Sequence, residues 1–60
     1  MDAPDRFATL RHDLANPLAA LLAEAQLLLM DADQLPVEVR TALKEIEQLA
    51  IRMRTILREV

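Results

Sequence analysis

The sequence predicts an all-α fold: an antiparallel hairpin of two helices that dimerises into a four-helix bundle. In two long segments, apolar residues recur every three or four positions, which is the period of one helix face. A short polar segment at 31–35 lacks that period and separates them. A chain of 60 residues without cysteine has a marginal core and no disulfides, so pairing with a second copy is expected.

Helix one is expected at about 3–30. Asp2 is suited to the N-cap, and Pro4 to the first turn, where its missing N–H leaves no helical bond unmade. Leu22 and Leu29 widen its apolar stripe, so that the stripe is wider than contact with one other helix can bury. The stripe itself comprises Phe7, Leu10, Leu14, Leu18, Leu21, Ala25 and Leu28.

Helix two is expected at about 36–60, starting at Pro36, and residues 1–60 form one domain. Leu49 and Ile56 flank its stripe. A hairpin alone would leave a row of these side chains in water, and a homodimer would bury them. The stripe comprises Val39, Leu43, Ile46, Ala50, Met53, Leu57 and Val60.

Composition excludes several functions. Without glycine the chain has neither a phosphate-binding P-loop nor a dinucleotide fingerprint, and without cysteine it has no zinc finger or thiol nucleophile. A net charge of −3 argues against nucleic-acid binding. The longest uncharged run, 14–23, falls far short of the roughly 20 residues of a spanning helix, and direct membrane contact is not expected.

Two residues depart from the amphipathic pattern of helix one. His12 falls on the side away from the apolar stripe, with Asn16 one turn later on the same side. Pro17 lies inside the helix, where it removes a backbone hydrogen bond, frees the carbonyl of Asp13 and is expected to bend the helix. Taken singly, a surface histidine and a tolerated kink are the commoner explanations.

The run His12-Asp13-Leu14-Ala15-Asn16-Pro17-Leu18 resembles the H-box of sensor histidine kinases, usually written H-E/D-L-R-T/N-P-L. Its position near the start of the first of two helices also fits. The resemblance covers essentially the whole chain as a dimerisation and histidine phosphotransfer (DHp) domain of the HisKA type.

The resemblance implies that His12 accepts the γ-phosphoryl group of ATP and passes it to an aspartate of a response-regulator receiver domain. Asp13 would be the general base, and Asn16 would position a water for dephosphorylation of the regulator. Cofactors in this chain are expected to be none, with ATP and Mg²⁺ held by a separate, normally C-terminal catalytic domain. The domain itself is expected in the cytoplasm.

The side of helix one below His12 carries Ala19, Ala23, Leu27 and Met30. Small residues allow close approach and exposed apolar residues mark partner surfaces, so we expect this ridge to bind the receiver domain. Ala15 departs from the family pattern, which has arginine or another polar residue there, so this position cannot supply a basic group to a phosphate. The charges of helix two are interpreted as solvated surface.

Two alternatives remain open from the sequence. The chain could be an ATP-independent phosphorelay histidine phosphotransferase, or a purely structural dimeric bundle in which His12 has no chemical role.

Overall fold

The computed structural model describes residues 3–59, with side chains from Arg6 onward. Helix α1 spans Ala3–Leu29 and helix α2 spans Val37–Glu59, and the two pack against each other as an antiparallel hairpin. This confirms the predicted all-α hairpin. The N-cap assigned to Asp2 and the last stripe position, Val60, lie outside the described residues.

Both helices are continuous. Helix α1 runs through Pro17 without a break, and its start at Ala3 places Pro4 in the first turn. The first helical residue of α2 is Val37, immediately after Pro36. Proline disfavours helical dihedrals in the residue before it, and Leu35 is accordingly extended, with φ −98° and ψ 144°. The carbonyl of Pro36 accepts the amide of Arg40 at 3.0 Å, which begins the hydrogen-bond ladder of α2.

The connection between the helices is a tight turn built on a 3₁₀ helix at Ala32–Gln34. The Gln34 amide donates to the carbonyl of Asp31 at 2.8 Å, and the Leu35 amide to that of Ala32 at 3.1 Å. Arg40 fastens this turn to α2, since its Nη1 donates to the same Ala32 carbonyl at 3.3 Å. Over residues 3–59 no residue has a positive φ, so this turn reverses the chain without the glycine that the sequence lacks.

The core of one hairpin is thin. Among the described residues, Leu18, Leu22, Ala25 and Ala50 are buried, all less than a tenth exposed. The partly buried Ile51 and Leu57 pack against the cluster of Leu18, Leu22 and Ala50. Many other stripe residues remain close to half exposed, including Leu14 and Ile56. One chain therefore buries only part of its apolar surface.

Several stripe residues, most of them partly exposed, line an open apolar groove along one side of the hairpin, with a volume of about 360 Å³. Both helices contribute, and the described lining contains no charged side chain. We call this the apolar groove; it is lined by Leu14, Pro17, Leu18, Leu21, Met53, Ile56 and Leu57.

Neither helix, within the part of the chain described, combines the length and apolarity needed to cross a membrane.

Candidate functional site

His12 lies in the first half of α1, and its side chain is exposed. It lines a second open groove, of about 640 Å³, that runs between the two helices. Leu18 and Leu57 line both this groove and the apolar groove. Because those two residues form the seam between the helices, the two grooves lie on opposite sides of it. The imidazole is thus presented to solvent on the side away from the apolar groove.

The groove beside His12, which we call the histidine groove, is lined by small side chains and by arginines. Ala8, Ala15, Ala19 and Ala23 from α1 leave it wide, and the leucines of the core form its base. Three arginines line it: Arg11 from α1, and Arg54 and Arg58 from α2. No carboxylate is among the described residues that line it. This differs from the chain as a whole, whose net charge is −3.

The register of the hairpin places the α2 arginines relative to His12. Gln26 Nε2 donates to Glu47 Oε2 at 3.2 Å, so these two residues stand opposite each other. In an antiparallel pair, an equal number of residues along each helix leads to the next opposed positions. Arg58 therefore stands opposite Ala15, and Arg54 opposite Ala19. Ala15 lies one turn from His12 on α1, so this register places Arg58 about one turn, ~5 Å, below the level of the imidazole.

The other H-box residues are distributed around α1. Asp13 and Asn16 are exposed and are not among the residues that line the histidine groove. Asp13 follows His12 directly, and adjacent helix positions do not face each other, so contact between the two side chains requires a suitable pair of rotamers. Pro17 lines the apolar groove, on the other side of the seam.

The ridge expected to bind a receiver domain divides into two parts. Ala19 and Ala23 line the histidine groove together with His12. Leu27 and Met30 are strongly exposed, at 60% and 79%, but they lie beyond the lining of the groove, towards the turn. The structure thus brings the two alanines, and not the two larger residues, to the same cavity as the histidine.

The model of the His Kinase A (phospho-acceptor) domain, HisKA, matches residues 5–60. That match includes α1 from residue 5 onward, the turn, the whole of α2 and every candidate site residue. The chain belongs to the HisKA family. The resemblance seen in the H-box is thereby confirmed over nearly the full sequence, and the family is the phosphoacceptor and dimerisation part of histidine kinases. No curated protein and no solved structure matches this HisKA domain.

Sequence reasoning did not single out Arg54 and Arg58 as part of the site. They are four residues apart, so they share one side of α2, and that much is legible in the sequence. Which side of α1 they face depends on how the helices pack. The structure answers this by placing both in the groove with His12.

Over the described residues, no three histidine, aspartate or glutamate side chains are grouped where they could hold a metal ion.

Proposed function

We propose that this HisKA domain is the phosphoacceptor and dimerisation domain of a sensor histidine kinase, with His12 as the phosphorylated residue. The observation that carries the proposal is the exposed imidazole at the H-box position, in a groove free of carboxylates among its described lining residues. A dianionic phosphoryl group can approach such a site without like-charge repulsion.

The chemistry at His12 is nucleophilic. One imidazole nitrogen forms an N–P bond with the γ-phosphorus of ATP, the bond from that phosphorus to the β–γ bridging oxygen breaks, and ADP leaves with the electron pair. Asp13 holds the N–H of the other ring nitrogen and takes its proton, so that the attacking nitrogen keeps its lone pair. ATP and Mg²⁺ are supplied by a separate catalytic domain, and the reaction takes place in the cytoplasm.

The phosphoryl group then passes from His12 to an aspartate of a response-regulator receiver domain. Ala19 and Ala23 support this step, because a partner entering the histidine groove meets small side chains there. Leu27 and Met30 extend the surface towards the turn with exposed apolar side chains. Asn16 positions a water for the reverse task, dephosphorylation of the regulator; its exposure, one turn beyond His12, supports this role.

The dimer is proposed from the apolar groove. Leu14, Leu21, Met53 and Ile56 on its walls are close to half exposed in one hairpin, and a second hairpin packed there would cover them. The result is a homodimeric four-helix bundle in which each histidine groove faces outward.

The test of the function is phosphorylation by ATP. The chain is incubated with the ATP-binding domain of its kinase, Mg²⁺ and ATP labelled at the γ position. We expect label that is lost in acid and kept in base, as phosphohistidine requires, and complete loss of label in His12→Gln.

Other outcomes of the same test assign other functions. Label that arrives only from a phosphorylated receiver, and never from ATP, would identify an ATP-independent phosphorelay protein. No label from either donor would leave only the structural role of a dimeric bundle.

A further inference from the structure

Arg54 and Arg58 form a basic pair that the phosphoacceptor chemistry above does not use. They stand one helical turn apart on α2, both exposed, and both line the histidine groove. Like charges at this spacing repel mildly, so their proximity does not serve the stability of the helix. No carboxylate faces them from the described part of that groove; the other charged group there is Arg11.

Their position relative to His12 gives the pair a use. Arg58 stands opposite Ala15, and Arg54 opposite Ala19, according to the register set by Gln26 and Glu47. The methyl groups of the two alanines leave the space across the groove open. A guanidinium on a long, flexible stem can cross that space towards the imidazole, whereas Ala15, the nearer residue on α1 itself, offers no charge.

We propose that Arg58, assisted by Arg54, binds the phosphoryl group carried by His12, so that α2 supplies the positive charge that α1 lacks at Ala15. The guanidinium donates hydrogen bonds to the phosphoryl oxygens, and it neutralises charge as the N–P bond forms. The inference rests on the proposed role of His12 and adds two phosphoryl-binding residues to it.

The experiment uses phosphoramidate, which phosphorylates histidine without ATP or a catalytic domain. The imidazole nitrogen of His12 forms the new N–P bond, the N–P bond of the donor breaks, ammonia leaves, and the second ring nitrogen releases its proton to solvent. His12 is the only histidine in the chain, so phosphorus NMR reports one site. Two quantities are measured: the rate of formation of phosphohistidine and its half-life after the donor is removed.

For the variant Arg54→Ala/Arg58→Ala we expect slower formation and a shorter half-life, each by about tenfold, the effect of a lost charge-assisted hydrogen bond. Arg52→Ala is the matched control, because Arg52 is an exposed arginine of α2 that does not line the groove. It should behave as the wild-type chain. Adding Ala15→Arg to the double variant should restore both quantities at least in part, which a merely structural role of the arginines would not predict.

Circular dichroism of each variant establishes that the helices are retained. The proposal is overturned if the double variant matches the wild-type chain, or if Arg52→Ala loses as much. It is also overturned if only transfer to a receiver domain changes, since the arginines would then bind the partner and not the phosphoryl group. The ATP experiment with His12→Gln is separate: if it fails while phosphoramidate gives the expected differences, the ATP-dependent function fails and the arginine site stands.

Discussion

His12 is defined by what surrounds it more than by its own chemistry. A histidine on a helix surface is usually only a polar residue, but this one opens onto a cavity with alanine walls and arginines from both helices. Space and positive charge are what an incoming phosphoryl group needs, because positioning and charge neutralisation carry most of phosphoryl transfer.

The proposed role of Asp13 as general base can be tested separately from the effect of its negative charge on helix α1. Asp13→Asn removes the base but keeps the shape, and we expect phosphorylation of His12 from ATP to slow by about a hundredfold. Glu24→Gln, the same change of charge at another exposed site on α1, should leave the rate unchanged. A rate within twofold of wild type for Asp13→Asn would assign the proton to solvent.

At Ala19 and Ala23 the prediction concerns the partner. Glutamate at either position fills the histidine groove and introduces negative charge, so transfer from phosphorylated His12 to the receiver should fall at least about tenfold. Ala20→Glu is the control on the same helix, because Ala20 is exposed and does not line the groove. Transfer is followed as the decay of phosphohistidine after receiver is added, and equal decay in all variants would place the docking surface elsewhere.

From the sequence, a local motif or the helical period indicated the candidate residues of α1, including Ala19 and Ala23, which line the histidine groove. The H-box indicated His12, Asp13 and Asn16 because consecutive residues carry its pattern. Arg54 and Arg58 lie more than forty residues away from His12 in the chain and enter the site through helix packing, which no local pattern encodes.

At the scale of single elements, α1 tolerates an interior proline. The helix continues through Pro17, so the structure keeps a position at which one backbone hydrogen bond cannot form. Pro17 also contributes to the apolar groove, on the face that a second hairpin would cover.

Replacing this proline should stabilise the fold. We expect Pro17→Ala to raise the free energy of unfolding by about 1–3 kcal/mol, because alanine restores the missing donor and is the better helix former. Urea denaturation at fixed protein concentration measures it. Pro36→Ala, just outside α2, should change stability by less than about 1 kcal/mol, since its nitrogen precedes the ladder. A loss of stability in Pro17→Ala would mean that its ring contacts outweigh the bond.

The two helices were predictable because their apolar residues repeat with the helical period over more than twenty positions. The details of the turn were not. Its 3₁₀ helix and the bond from Arg40 to the Ala32 carbonyl involve polar residues without a periodic pattern, and they depend on the distance between the two helix ends.

At the scale of the whole molecule, one hairpin leaves much of its own apolar surface exposed to solvent. Four residues are buried in the described part of the chain, while Leu14, Leu21 and Ile56 of the apolar groove stay near half exposure. The width of the apolar stripes predicted this exposure from the sequence. Which stripe residues lie between the helices and which line the apolar groove became visible only in the structure.

Dimer formation can be tested with the same leucine-to-glutamate change made at two positions in separate variants. Leu21→Glu puts a charge into the apolar groove, and we expect it to abolish the dimer, so that light scattering gives the 6.8 kDa of one chain and not twice that mass. Leu27→Glu makes the same change at a more exposed leucine of α1 outside that groove and should remain dimeric. A dimer that survives Leu21→Glu would have to use another face.

Because the seam leucines separate the two grooves, the surface proposed for self-association and the surface proposed for phosphoryl transfer lie on different sides of the hairpin. We therefore expect substitutions in the histidine groove to change which receiver domain binds, and to leave the choice of dimer partner unaltered. Conversely, we expect that substitutions in the apolar groove can favour heterodimers while the chemistry at His12 is unchanged. Dimer specificity and receiver specificity could then be engineered separately in this short chain.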